Sequence, residues 1–260
     1  MGLEWTFDTV TAAYDKYRPG YAPELYKRIF DYVPIGAESC AVEVGSGSGQ
    51  ATEPILRTGC RLTAVEYGER FSSVLKEKFR DYPKFSVITG KFEETELEKE
   101  SCDLVFSATA FHWIPEKEGY EKVYAILKEG GAFARFANHP FRAAGQPALG
   151  ADIDALYEEY YYRDNRKPRK VIAPYSEAQA EELSLLAENY GFRDLRHAVF
   201  YRERIFSAKE YVGLLGTYSD HIAIEEPVRL KFFAAIEAAI NDHGGTVTIG
   251  DTMDLQLARK

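Results

Sequence analysis

Apolar and polar positions along this chain follow two rhythms, and their alternation sets out most of the fold. Short apolar runs predict strands at residues 40–44, 61–65, 85–88, 103–108 and 132–136. Between them, apolar residues recur every three or four positions, the spacing of one helix face. One predicted helix starts at Pro23 and carries Leu25, Tyr26, Ile29 and Phe30. A second covers residues 50–56 and stops at Gly59, with Pro54 tolerated near its first turn. A third carries Phe71, Val74, Leu75 and Phe79. A fourth carries Tyr120, Val123, Tyr124 and Leu127 and is stopped by Gly130-Gly131. Strand and helix in strict alternation predict βαβ units and a parallel sheet.

After Asn138 the rhythm loosens. Residues 138–174 are rich in Pro, Gly and Arg and predict an insertion around one helix near 153–162. Ser176 with Gln179, and Ser207 with Glu210, have the spacing of capping boxes that open helices. Gly191 closes the first of these, and residues 194–205 read as a strand. Phe232, Ile236 and Ile240 share one face of a late helix that Gly244-Gly245 ends. Residues 246–257 alternate as a last strand.

Composition narrows the class. The 260 residues are 45% apolar, enough to bury a core. No apolar run approaches the ~20 residues that span a bilayer, and the first residues lack a basic stretch followed by an apolar one. Cys40, Cys60 and Cys102 form no CxxC pair. These features lead us to expect a soluble cytoplasmic protein, a monomer or homodimer without membrane attachment. A net charge of −9 opposes nucleic-acid binding. The one basic cluster, Arg163, Arg166, Lys167, Arg169 and Lys170, follows Glu158 and Glu159 and reads as a solvated loop. Tyr157, Tyr160, Tyr161 and Tyr162 fit helix packing. The five histidines are scattered, without metal-ligand spacing, so no metal is expected.

The sharpest chemical signal is Glu43-Val44-Gly45-Ser46-Gly47-Ser48-Gly49, between a predicted strand and a predicted helix. Glycines there permit positive φ and a close backbone approach to a ligand. In a doubly wound sheet such a loop lies where ligands bind. A phosphate loop would need GxxxxGK, and the Lys is missing. A dinucleotide loop would need GxGxxG; here Gln50 stands where the third glycine belongs. Glu43 is unhelpful beside a pyrophosphate and suits a ligand with an ammonium and a sulfonium. Glu66, about twenty residues on, ends the second strand, where a carboxylate accepts from both ribose hydroxyls.

These residues resemble the class I S-adenosylmethionine-dependent methyltransferases. The glycine loop is similar to the family's first motif, and Glu66 to its acid at the end of strand two. Gly90-Lys91-Phe92-Glu93 resembles the segment that flanks adenine. Ser107-Ala108 followed by Phe111-His112-Trp113-Ile114 resembles the fourth-strand motif, and Leu127-Lys128-Glu129-Gly130-Gly131 the turn into strand five. The pattern Tyr14-Asp15-Lys16-Tyr17-Arg18-Pro19-Gly20-Tyr21, together with FHWI, looks most like the small-molecule branch that includes trans-aconitate methyltransferases. The likeness covers residues 14–138.

The resemblance implies a Rossmann-like α/β fold: a mostly parallel seven-stranded sheet, an antiparallel last strand, helices on both faces and helical cap insertions. It implies one domain over residues 1–260, with cap helices at 1–33, the cofactor-binding core at 34–137, a cap insertion and helix at 138–190, and C-terminal strands and helices at 191–260. S-adenosylmethionine, leaving as S-adenosylhomocysteine, would be held by Arg18, Glu43, Gly45, Ser46, Gly47, Gly49, Gln50, Glu66, Tyr67, Lys91, Phe92, Glu93, Ser107 and Ala108. Lys91 departs from the family, where many relatives carry an acid that bonds the adenine amine. Backbone near Phe92, the Glu93 carboxylate and stacking on Tyr67 or Phe92 would replace it.

The acceptor would be a small molecule, with a carboxylate among the options, bordered by Tyr14, Trp113, His139 and Arg142. His112 is the candidate catalytic base, since its pKa lies near neutrality; the alternative is a packing role. Rival functions are an RNA or protein methyltransferase, a NAD-dependent Rossmann oxidoreductase, and a binding protein that has lost activity.

Overall fold

A seven-stranded sheet in the order β3-β2-β1-β4-β5-β7-β6 carries the fold. The computed structural model describes residues 11–162 and 173–260. The basic cluster at 163–170 lies outside the described residues. In chain order, α1 (Thr11–Tyr17) and α2 (Pro23–Tyr32) lead into β1 (Cys40–Val44), α3 (Thr52–Leu56), β2 (Arg61–Glu66), α4 (Glu69–Lys78) and β3 (Phe85–Thr89). There follow β4 (Cys102–Ala108), a 3-10 turn at Phe111–Trp113, α5 (Glu116–Ile126) and β5 (Leu127–Arg142). α6 (Pro147–Leu156) runs into a π-helical turn at Tyr157–Tyr161. The chain ends through α7 (Glu177–Leu185), β6 (Arg193–Ser207), α8 (Ala208–Leu215), α9 (Ser219–Ile222), α10 (Glu226–Asp242) and β7 (Thr246–Arg259).

β1 pairs in parallel with β2 and β4, β2 with β3, and β4 with β5. β7 runs antiparallel to β5: Gly130 N–H donates to Lys260 O at one end, and Ala143 N–H to Thr248 O at the other. The connections 3-2-1-4-5 reverse direction between β1 and β4, and in open α/β sheets ligands bind outside the carboxyl ends of strands at such a point.

The chain divides into two compact units. The larger comprises residues 19–139, 175–200 and 253–260. Its central strands β1, β2 and β4 are largely buried on both faces, to which alternate side chains point. Leu104 and Phe106 join one core with Ala134, Phe136 and Leu25, Ile29, Ile55 and Leu75 of three helices. Val105 joins the opposite core with Val42, Phe133 and Tyr120, Val123 and Ile126 of α5. The smaller unit comprises residues 1–18, 140–174 and 201–252. Its core is Leu149 and Ile153 of α6, Leu214 and Leu215 of α8, and Phe232, Ile236 and Ile240 of α10. Both capping boxes form, at Ser176 and at Ser207.

Four boundaries differ from the sequence expectation. α3 starts at Thr52 rather than Gln50, because turns extend through Ala51. α5 ends at Ile126, and Leu127 already opens β5; its buried side chain suits both periodicities. Gly130-Gly131 therefore lies inside β5, where five steps from Leu127 to Ala132 face two from Cys102 to Leu104, a bulge. β5 also continues to Arg142, through residues whose mixed polarity hides a strand. The helix expected near 153–162 begins at Pro147 and loosens into the π turn.

Phe136 is 1% exposed, edge-on to Tyr21 with ring centroids 4.8 Å apart and stacked on Phe106 at 6.5 Å. Phe136→Ala should cost about 3–5 kcal/mol. Urea unfolding measures this, and a loss under about 1 kcal/mol would contradict the packing described.

Candidate active site

The glycine loop leaves β1 held by several hydrogen bonds. Gly45 N–H donates to Val65 O at 2.9 Å, Gly49 N–H to Ser46 O at 2.9 Å, and the Lys78 ammonium to Ser48 O at 2.9 Å. The Gln50 amide donates to the Ser48 hydroxyl at 2.6 Å. Gly45 and Gly49 have φ of +72° and +86°. A Cβ on Gly45 would lie 2.5 Å from the Ala110 Cβ, and one on Gly49 would lie 2.6 Å from the Phe79 ring. Packing of the loop against its own protein thus requires both glycines.

Glu66 fixes the loop's shape. One carboxylate oxygen accepts from Gly47 N–H at 2.8 Å and the other from Gly68 N–H at 2.8 Å. A carboxylate oxygen has a second lone pair, so each retains capacity toward a ligand hydroxyl. Tyr67, next in sequence, is 49% exposed. Phe92 is buried in the core, whereas Lys91 is exposed and pairs with Glu94 at 2.9 Å. That bond to Glu94 raises the Lys91 pKa. Glu93 is half-buried beside them. Of the two stacking options, the structure leaves Tyr67 open and spends Phe92 on packing.

Glu43 is wholly buried beneath the loop. One oxygen accepts from the Thr52 hydroxyl at 2.6 Å. Its other oxygen and the buried Ser46 hydroxyl make no hydrogen bond of full geometry among the described residues, although Ser46 lies near enough to act on the Glu43 carboxyl. Burial pushes the Glu43 carboxyl up to about 7, against the Thr52 and Ser46 hydroxyls, which lower it. Unpartnered polar atoms cost free energy unless a ligand serves them. A cationic ligand would also restore the charge that burial suppresses.

The carboxyl ends of β4 and β5 form a second group. Ser107 is fully buried, and its hydroxyl donates to Val44 O at 2.8 Å, tying β4 to β1; Ala108 is half-buried beyond it. His112 and Trp113 lie at the surface with ring centroids 5.0 Å apart. Desolvation of the His112 ring, then the charges of Arg135 and His139, hold its pKa below the usual histidine value. His112 is therefore a neutral imidazole at neutral pH. His139 Nε2 lies 2.7 Å from Asp254 Oδ1, and its ring stacks on Tyr175 at 4.1 Å.

Tyr14, Arg18 and Arg142 belong to the smaller unit. The Arg18 guanidinium donates to the Thr217 hydroxyl and carbonyl, each at 2.9 Å, and sits over the Tyr14 and Tyr218 rings. Arg142 donates to Gly150 O and pairs with Asp154. The glycine loop, Glu66, residues 90–93 and the His112–His139 rim all belong to the larger unit.

A methyltransferase-domain family model matches residues 42–135, which spans the glycine loop, Glu66 and the β4 rim. An uncharacterized methyltransferase of Schizosaccharomyces pombe is 28% identical, over 86% of this chain and 84% of its own length. One from a Geobacillus strain is 30% identical, over 55% of this chain and 68% of its own. Among solved structures, a protein from Anaeromyxobacter dehalogenans assigned as a Type II methyltransferase superposes with a TM-score of 0.65. It is 20% identical and covers 94% of this chain and 98% of that one. The chain belongs to the class I S-adenosylmethionine-dependent methyltransferases.

In this methyltransferase several side chains beside these were not marked by their sequence spacing. Arg135 donates to the Tyr120 hydroxyl and sits over the Phe111 ring. Thr109 holds a φ of +55° at the end of β4, an uncommon posture for a β-branched residue. Its hydroxyl meets Tyr21 at 2.6 Å and accepts from Asn138 N–H. Asp254 and Tyr175 escaped notice because they lie 115 and 36 residues from His139. The one sequence signal was an acid between apolar Met253 and Leu255 in a predicted strand.

Glu43 also makes the unliganded methyltransferase pH-sensitive. Its folded pKa, about 7, exceeds the 4.5 of an ordinary glutamate. The folded state holds the proton more tightly, so this contribution is complete below about 4.5 and disappears as pH rises through about 7. The size is ~3 kcal/mol. Urea unfolding across that window should show the loss in the wild type and a flatter profile in Glu43→Gln. Identical slopes would contradict a buried, strained carboxyl.

Proposed function

We propose that the chain transfers a methyl group from S-adenosylmethionine to a small-molecule acceptor. The observation that carries this reading is the buried Glu43 carboxyl, half-partnered beneath a loop that Glu66 holds in shape. Phosphate ligands would meet a negative charge there; a ligand bearing an ammonium satisfies it. The residues therefore fit this donor. Glu43 and the loop Gly45–Gly49, with Ser46 and Gln50, would receive the amino-acid end. Glu66 would receive the ribose hydroxyls, with Tyr67 and the 91–93 segment beside the adenine. The donor supplies a methyl group on a positively charged sulfur, an activated electrophile.

The protein's task is then chiefly to position the acceptor. Holding two reactants in a near-attack geometry is worth ~7–11 kcal/mol. His112, Trp113 and His139 at the ends of β4 and β5 border the acceptor in this reading, and Arg135 adds a positive charge. The net charge of −9 favours a small acceptor over RNA.

Binding of labelled S-adenosylmethionine by equilibrium dialysis tests the reading. Because a ligand ammonium favours ionised Glu43, affinity should rise as pH increases through about 7, and Glu43→Gln should lose that dependence. Glu66→Gln should weaken binding by ~1.5–3 kcal/mol, the worth of hydrogen bonds to a charged group. No binding by folded wild-type protein, or an unchanged affinity in Glu66→Gln, would refute it.

A further inference from the structure

The larger unit holds an imidazole arranged differently from the other histidines. His221 is buried and both its ring nitrogens are occupied, Nδ1 by Asp220 at 2.8 Å and Nε2 by the Tyr157 hydroxyl at 2.9 Å. His243 pairs with Asp152 at 2.7 Å, and that carboxylate is 60% exposed. His197 stands 3.9 Å from an exposed Glu177. His112 packs its ring against Trp113. His139 alone among the five combines a deeply buried carboxylate with an open nitrogen. Its partner Asp254 is 1% exposed, and its own side chain is 35% exposed.

The local geometry explains how that imidazole is held. Asp254 lies on β7, where it also accepts from the Gln256 side-chain amide. A carboxylate buried so completely requires strong donors. His139 Nε2 faces it and therefore carries the proton. Tyr175 stacks on the ring at an interplanar angle of 8°, which fixes its tilt. Nδ1, the acceptor nitrogen in this tautomer, has no partner among the described residues. Arg135 and His139 both lie near enough to His112 for their charges to act on its ring.

We infer that His139, rather than His112, is the general base for the methyl acceptor, that Asp254 is its positioning residue, and that the acceptor is a weakly acidic hydroxyl of the phenol class. The inference rests on the methyltransferase reading above. A carboxylate acceptor is already ionised and needs no base, whereas a phenol must lose a proton as it attacks. The aromatic surfaces of Trp113, 41% exposed, and Tyr175 suit a flat ring. The step balances. The acceptor O–H gives its proton to His139 Nδ1 as the oxygen takes the methyl carbon, and the C–S bonding pair stays with sulfur. Asp254 stabilises the imidazolium formed, and release of that proton to solvent resets the site.

Two measurements test this. Long-range proton–nitrogen spectra of labelled protein, with His139 assigned by its loss in His139→Gln, should show the Nε2–H tautomer with Nδ1 unprotonated. Asp254→Asn should raise the share of the opposite tautomer, as an amide can donate where the carboxylate only accepts. An Nδ1–H tautomer in the wild type, or no response to Asp254→Asn, would overturn the assignment.

Methyl transfer to catechol should fall by ~100-fold or more in His139→Gln. Transfer to 4-nitrophenol above its own pKa, where no proton need be removed, should fall far less. Equal losses on both probes would overturn the role of base. No transfer to either phenol by wild type that still binds S-adenosylhomocysteine would overturn the acceptor class. Failure to bind S-adenosylhomocysteine would instead strike the methyltransferase reading itself.

Discussion

One carboxylate organises the donor side of this molecule. Glu66 accepts from Gly47 N–H on the glycine loop and from Gly68 N–H at the start of α4. It thereby links the turn after β1 to the turn after β2, two strands side by side in the sheet. A hydrogen bond to a charged group contributes ~1.5–3 kcal/mol. One such bond holds the glycine loop, beside those of Gly45, Gly49 and Ser48, and the other holds the turn that opens α4. The same residue thus joins the glycine loop to the start of α4.

Glu43 is the counterpart below. It sits in a wholly buried position with one oxygen unserved, a state that costs stability as long as nothing cationic arrives. Folding tolerates it because the surrounding strands are packed on both faces by apolar helices. The pH dependence of the empty protein and that of donor binding are two sides of this one carboxyl.

Much of the parallel half of the sheet was legible in the sequence, because each strand there is a short apolar run between helices of clear periodicity. Leu127 shows the limit: its spacing fits α5, its burial fits β5, and only the pairing of β5 with β4 decides between them. Residues 138–142 read as loop because a strand whose residues are half-buried has no clean alternation. The glycine loop and Glu66 were legible as a motif because local spacing alone marks them. Ser107 was legible only as a position, as its hydroxyl is turned to Val44. The His139–Asp254 pair was invisible because 115 residues separate its members, and only the insertion of β7 beside β5 brings them together.

The central claim is that a methyl donor lies against the loop that Glu66 shapes, with its ammonium near Glu43. A crystal structure of the protein saturated with S-adenosylhomocysteine tests it most directly. The account predicts density for the ribose on Glu66 and for the amino group beside Glu43, with the loop in its present form. Density at any other place, or an empty loop under saturating ligand, would contradict it.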